Sequence, residues 1–185
     1  MRVGTGYDSH CFAEDRRLML GGVYIPGHPG LSGHSDGDAI AHAVIDAILG
    51  AASMGNVGSH FPPDDDTWKG ADSMDLLERT RQILEYEGFM VVNIDVTVIC
   101  EKPKIAPHIE AMKKRLGEVL QIAADRVSIK GKSNEGLGWI GSGEGLAVHS
   151  VALINRTSNF PDSGSIGAVS YTHLRAHETE AELVC

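Results

Sequence analysis

The chain has 185 residues, 42% of them apolar, a mean hydropathy of −0.09 and a formal net charge of −9. That length and balance fit one compact domain with a hydrophobic core. The negative field repels polyphosphate backbones, no basic patch offsets it, and no apolar run is long enough to span a bilayer, so nucleic-acid and membrane partners are not expected.

In chain order, RVGTGYDSH reads as a short strand and LMLGGVYIP, residues 18–26, as a second, with the polar stretch AEDRR as the turn of a hairpin between them. A Gly/Pro/His loop leads to Ser35, which with Asp38 three residues on predicts a capping-box start to the apolar helix AIAHAVIDAILGAA. The N-terminus of that helix can face an anion. GNVGSHFPPDDD, with its Gly, paired Pro and run of Asp, reads as a long irregular loop of the kind that often carries function. Ser73 to Glu87 places Leu76, Leu77, Thr80, Ile83 and Leu84 on one helical face and stops at Gly88.

VVNIDVTVIC alternates as a strand, with Asn93, Asp95 and Thr97 on one side and Ile94, Val96 and Val98 on the other. After the loop EKPK, Pro107 suits the first turn of a third helix through Leu120, with Ile109, Met112, Leu116, Val119 and Leu120 as its apolar stripe. RVSIKGK and LAVHSVALIN supply two more strands around a Gly-rich loop. The sum predicts an α+β fold, two-layer, with helices packed on one face of a mixed β-sheet and the domain spanning residues 1–156. From Thr157 the periodicity fails, and residues 157–185 are expected to be a tail outside the core, disordered or non-native, in which SYTHLRAHETEAELVC reads as translated adapter sequence. The spacing of His173 and His177 is therefore a poor basis for a metal site.

The first residues, MRVGTGYDSH, lack the basic start and apolar core of a signal peptide, which makes a cytoplasmic protein the expectation. Cys11, Cys100 and Cys185 are scattered and never form a CxxC pair, so neither a disulfide framework nor a thiolate zinc site is predicted. Any metal is then held by His and carboxylate. Asp8 and His10, two apart on a strand, leave the same face and can converge on one ion. A catalytic zinc commonly takes three such ligands and keeps a fourth position open, and His42 is the candidate third. Asp38 and Asp46, one helical turn to either side, could accept its other ring N–H and fix the tautomer. Spacing alone does not join residue 42 to residue 10, and a solvated helical histidine is the commoner outcome.

GLGWIG matches the dinucleotide fingerprint GxGxxG in form only, because a strand rather than a long helix follows it. KSNEGLGWIGSGEG reads better as a loop whose Lys132, Ser133 and backbone amides hold phosphate oxygens while Glu135 helps to hold a hard cation; a long hairpin connection is the plainer alternative. His34 and Ser35 ahead of the first helix, and Lys104 after the third strand, are further phosphate-compatible points.

The blocks GYDSH, LSGHSDGDAIAHAVIDAILGA, GNVGSHFPPDD, KGADS, EKPKIAPH and KSNEGLGWIGSGEG, in that order, resemble the 2-C-methyl-D-erythritol 2,4-cyclodiphosphate synthase family of the non-mevalonate isoprenoid pathway, from Arg2 to about Asn155. The resemblance implies a homotrimer with active sites at subunit interfaces. It implies a zinc ion on Asp8, His10 and His42, and a magnesium or manganese ion that involves Glu135. The implied reaction converts 4-diphosphocytidyl-2-C-methyl-D-erythritol 2-phosphate into the cyclic diphosphate and CMP, the 2-phosphate attacking the β-phosphorus. By the same resemblance His34 and Ser133 stabilise the transition state, with Ser35 beside them. The segment Cys100 to Ala106, including Lys104 and Ile105, and Lys132, Ser133, Asn134 and Glu135 bind the cytidine diphosphate part, and Asn56, Val57, Gly58, Phe61 and Asp65 line the erythritol side. The sequence departs from the family pattern at Asn56, where Asp is usual, at Ser142 for Arg, at Trp139 for Phe and at Ser133 for Thr. Two other outcomes stay open from the residues: a metal-dependent phosphohydrolase in which the ion activates water, and a non-catalytic trimeric binder of isoprenoid diphosphates.

Overall fold

The computed structural model describes residues 1–157. The expectations placed on residues 158 to 185, His173 and His177 included, lie outside the described residues. Thr157 itself still donates its backbone N–H to Gly88 O at 2.9 Å.

Among the described residues, five strands form one sheet in the order β2-β1-β5-β3-β4. They are β1 (Arg2–Leu20), β2 (Val23–Leu31), β3 (Phe89–Ile99), β4 (Val127–Lys132) and β5 (Gly145–Arg156). The β3–β4 pair is parallel and the other pairings are antiparallel, so the sheet is mixed as predicted. The helices are α1 (Ala39–Ala52), the one-turn α2 (Val57–His60), α3 (Ser73–Tyr86), α4 (Ile109–Leu120) and the one-turn α5 (Gly138–Gly141). No helix among the described residues is long and apolar enough to cross a membrane.

The predicted hairpin turn is displaced. AEDRR does not break the strand; β1 continues through it with a bulge between Ala13 and Leu18, and the chain reverses at Gly21-Gly22 instead, inside the run expected to be the second strand. Both glycines have positive φ, 58° and 71°, the conformation a two-residue hairpin needs to match strand twist, and Leu20 pairs directly with Val23. Turn chemistry at Gly-Gly outweighed the polarity of AEDRR.

One sheet face is closed by helices. Leu146, Val148, Ser150, Ala152 and Ile154 of β5 and Ile94, Val96 and Val98 of β3 point into the core, as the alternation of β3 predicted. The opposite face is open: Tyr7, His149 and Thr97 lie in one cross-strand row, and Val3, Leu153 and Asn93 in another, with Val3 64% and Tyr7 56% exposed.

The closest packing lies between β1 and α1. Gly4 and Gly6 face Ala43, Ala47 and Ala51, spaced four apart along α1; a Cβ on Gly6 would fall 1.9 Å from Ala43 O, and one on Gly4 2.1 Å from Ala47 O. Only glycine admits that approach. Because Gly4 meets Ala47 and Ala51 while Gly6 meets Ala43 and Ala47, α1 runs antiparallel to β1, and the next residues on that strand face, Asp8 and His10, are carried toward His42.

Candidate active site

The start of α1 differs from the predicted capping box. Asp38, not Ser35, is the N-cap: its Oδ1 accepts the N–H groups of Ile40 and Ala41 at 3.1 Å each. The same carboxylate accepts Gly21 N–H at 2.8 Å and Gly22 N–H at 2.6 Å, so one fully buried side chain joins the β1–β2 turn to the helix that carries His42.

Asp8, His10 and His42 converge. Asp8 Oδ2 lies 2.8 Å from His10 Nε2 and 3.1 Å from His42 Nδ1, and the ligand atoms of all three residues lie within 4.8 Å of one another. Ligand atoms around a tetrahedral zinc stand roughly 3.3 Å apart. One carboxylate and two imidazoles at these separations fit a divalent transition metal with three protein ligands and an open fourth position. Burial alone would raise the Asp8 carboxyl, but the hydrogen bonds and charge of His10 and His42 outweigh it and hold the group well below the usual carboxylate range. Burial penalises the His42 cation, yet the hydrogen bond and charge of Asp8, with Asp38 and Asp36 nearby, raise that imidazole above its ordinary value.

The partner that fixes the His42 ring is not the one expected. Asp38 is committed to backbone N–H groups, and Asp46 Oδ1 accepts Val57 N–H at 2.7 Å, so neither reaches the imidazole. His42 Nε2 instead lies 3.1 Å from Ser35 Oγ and 3.1 Å from Ser73 Oγ, and the Ser73 hydroxyl donates to Asp36 Oδ1. With a metal held on Nδ1, the remaining ring proton would sit on Nε2 and be donated to these hydroxyls.

A cavity of about 260 Å³ opens on the triad. It contains Asp8, His10, His34, Ser35 and His42 on its polar side and Val57, Gly58, Phe61, Pro63, Trp68 and Leu76 as walls. Phe61 and Trp68 meet edge to face at 5.0 Å between centroids. Arg16 fixes the loop that presents His34, donating to Gly33 O at 2.5 Å and to Ser35 O. The predicted irregular loop here is partly helical: Asn56 caps α2 in a reciprocal pair with Ser59, and Asp65 Oδ1 accepts Thr67 N–H at 2.9 Å to start a short 3-10 turn.

A second cavity, of about 150 Å³, is lined by Cys100, Pro103, Lys104, Ile105, Ala106, Gly131, Lys132 and Ser133. Burial pushes the Cys100 thiol up to about 11 despite nearby Lys104. Ser133 Oγ donates to Glu135 Oε1 at 2.8 Å. Ser9, Ala147, Ile99 and Lys132 share one cross-strand row, so the two cavities sit at the same end of the sheet, and β4 beside the second lies three strand spacings, about 14 Å, from the strand that carries Asp8 and His10. Within one chain Glu135 therefore does not join the triad, and Asn56, Asp65, Asn134, Glu135, Trp139 and Ser142 line neither cavity. The Ser142 hydroxyl has three acceptors within reach, Gly138 O, Trp139 O and Glu144 Oε1, the last and shortest at 2.7 Å. A strand follows the one-turn α5, as expected, so no long helix opens at GLGWIG. Sequence reasoning assigned no role to Ser73, Asp36, Arg16 or Trp68.

Comparison with known proteins agrees with this geometry. The YgbB family model matches residues 1–155. A 2-C-methyl-D-erythritol 2,4-cyclodiphosphate synthase from Brachyspira hyodysenteriae is 50% identical over 157 residues, covering 85% of this chain and 99% of its own. Among solved structures, the bifunctional IspDF from Campylobacter jejuni superposes with a TM-score of 0.81 at 39% identity over 84% of this chain and 42% of that longer chain. The CDP complex of IspF from Plasmodium falciparum matches with a TM-score of 0.73 at 33% identity over 84% of this chain and 96% of its own. The chain belongs to the YgbB family, that of the 2-C-methyl-D-erythritol 2,4-cyclodiphosphate synthases.

Proposed function

We propose that this chain converts 4-diphosphocytidyl-2-C-methyl-D-erythritol 2-phosphate into 2-C-methyl-D-erythritol 2,4-cyclodiphosphate and CMP, a phosphorus–oxygen lyase step of isoprenoid precursor synthesis, at a site completed between subunits of a homotrimer. The observation that carries the reading is the Asp8–His10–His42 triad at the mouth of a cavity with apolar walls, in a chain half identical to proteins of that name.

The chemical problem is to bring one phosphate onto another in line while CMP leaves. Zinc on Asp8, His10 and His42 and magnesium or manganese at Glu135 supply positive charge and Lewis acidity to the diphosphate when bound. His34 and Ser35, fixed beside the triad by Arg16, are placed to orient the attacking phosphate. Val57, Gly58 and Phe61, with Asn56 and Asp65 at the rim, shape the pocket for the branched C5 skeleton, and the apolar wall excludes water that would otherwise give linear hydrolysis. Lys104 and Lys132 offset charge on the nucleotide diphosphate, and Ser133 donates to the oxygens that gain charge as the bond to CMP breaks. Cys100, Ile105 and Ala106 form the cytosine and ribose wall, with Asn134, Trp139 and Ser142 around it. No protein nucleophile is required, because the substrate supplies its own.

Two features support the trimer. The sheet face opposite the helices is open, with Val3 and Tyr7 exposed. The metal cavity and the Lys104–Ser133 cavity are also separate in one chain, so a neighbouring subunit can bring the second against the first. The synthase unit occupies residues 1–156. Free Cys11 and Cys100 suit a reducing, cytoplasmic setting.

The test is incubation of purified protein with magnesium and the cytidylylated substrate in oxygen-18 water. Cyclic diphosphate and CMP without solvent oxygen are expected. Linear products carrying the label would instead establish a phosphohydrolase, and binding without turnover a non-catalytic binder.

A further inference from the structure

The loop after β4 turns on an unusual residue. Glu135 has φ 52°, in the left-handed region that a non-glycine side chain rarely adopts, and Gly136 continues it at φ 74°. Such a conformation persists only where its surroundings enforce it. The N–H groups on either side of Glu135 converge on a single atom: Glu101 Oε1 accepts Asn134 N–H at 2.9 Å and Gly136 N–H at 3.2 Å. Two amides converging in this way form a small concave anion site of the kind that elsewhere takes a phosphate oxygen. Here the protein's own carboxylate fills it.

We propose that Glu101 is a positioning residue, an internal anion that holds the Ser133–Glu135 loop in the shape that receives the nucleotide diphosphate and its cation. The proposal rests on the reading above that this loop is the diphosphate half of the site. By charge alone Glu101 is misplaced, since a carboxylate beside a diphosphate pocket repels the ligand that Lys104 and Lys132 attract. Its pairing with the two amides resolves the conflict, because it spends the negative charge on backbone donors instead of presenting it to the pocket. The tie also spans the two walls of one cavity. Glu101 follows Cys100 at the end of β3, next to the Pro103–Ala106 wall, while the amides belong to the loop that runs on from Lys132 and Ser133. Cys100 N–H donates to Lys132 O at 2.9 Å at the base of the same junction. With the loop so held, Ser133 Oγ and Glu135 Oε1 stand 2.8 Å apart, a hydroxyl and a carboxylate presented together.

The experiment compares wild type, Glu101→Gln and Glu101→Ala in the full chain, by calorimetric binding of CDP with magnesium and by amide hydrogen exchange at Asn134 and Gly136. Metal content at the Asp8 triad and melting temperature report whether each variant is folded. Glutamine keeps an acceptor oxygen and loses the charge; alanine loses both. The expected result is faster exchange at both amides and about tenfold or more weaker CDP binding in Glu101→Ala, with substantial recovery of both in Glu101→Gln and the triad metal retained throughout. Unchanged exchange or unchanged CDP affinity in Glu101→Ala overturns the proposal. A Gln variant as defective as Ala, with a raised magnesium requirement in both, overturns it in favour of Glu101 as a cation ligand. If wild type itself fails to bind CDP, the reading of this loop as the diphosphate half falls, and the proposal with it.

Discussion

Ser73 Oγ lies 3.1 Å from His42 Nε2, on the opposite edge of the ring from Asp8, and its hydroxyl donates a hydrogen bond to Asp36. The candidate metal ligand on α1 is thereby aimed from the first residue of α3. Partners of this kind set tautomer and ligand basicity, and their loss costs about 10–100-fold in metal affinity. Ser73→Ala is expected to fall in that range when metal is competed against a chelator, even though it touches no ligand atom. Ser35 shares the contact, so the Ser35→Ala/Ser73→Ala pair should lose more than either alone. Wild-type affinity in the double variant would show that the hydroxyls do not orient the ring.

Metal uptake is expected to depend on pH in a definite direction. His42 is raised above its ordinary 6.5 and Asp8 lowered below its ordinary 3.8. In the metal-free protein the His42 contribution to stability is fully present below pH 6.5 and is lost as pH rises through the raised folded value. The Asp8 contribution is present above pH 3.8 and is lost as pH falls through the lowered folded value. Metal needs His42 neutral, so it displaces a proton, and affinity should rise as pH climbs toward the raised His42 value. Calorimetry in buffers of different ionisation enthalpy should detect proton release near neutrality that declines at higher pH; no release at any pH would contradict the ion-paired triad.

Gly6→Ala should be far more damaging than a surface glycine change. The added Cβ would meet backbone, Ala43 O at 1.9 Å, so α1 must lift from β1. A loss of about 2–3 kcal/mol in denaturant unfolding is expected, with weakened metal binding because His42 moves with the helix. Gly27→Ala faces open space and serves as a comparison, although its positive φ carries a smaller penalty of its own.

Asp38→Ala removes the acceptor for four backbone N–H groups at once, two in the Gly21-Gly22 turn and two in the first turn of α1. The expected destabilisation is about 3 kcal/mol or more at neutral pH, above that of an ordinary helix cap. A loss no larger than a surface substitution would show that water replaces the carboxylate.

Much of this was legible in the sequence because local period and side-chain chemistry agreed. The alternation of Asn93, Asp95 and Thr97 against Ile94, Val96 and Val98 gave the correct faces of β3, and the stripe from Leu76 to Leu84 gave the buried face of α3. The hairpin was misplaced because AEDRR carries the polarity of a turn, while Gly21-Gly22 carries its geometry. His42 could not be joined to Asp8 by spacing, since the link is a contact between elements. A signal was nonetheless present: Gly4, Gly6, Asp8 and His10 alternate on one strand face while Ala43, Ala47 and Ala51 recur every helical turn. That is the pattern of a strand and helix packed closely enough to share a ligand set. The partners of the His42 ring were misassigned to neighbours on its own helix because Ser73 arrives from another element, and no period within α1 reports it.

The most direct test of the central claim, that Asp8, His10 and His42 form one metal site, is metal analysis of the purified protein beside its His42→Ala variant. The account predicts about one equivalent of divalent transition metal, zinc foremost, in the native chain and its loss in the variant, with the fold retained by circular dichroism. Equal metal content in the two proteins would contradict it.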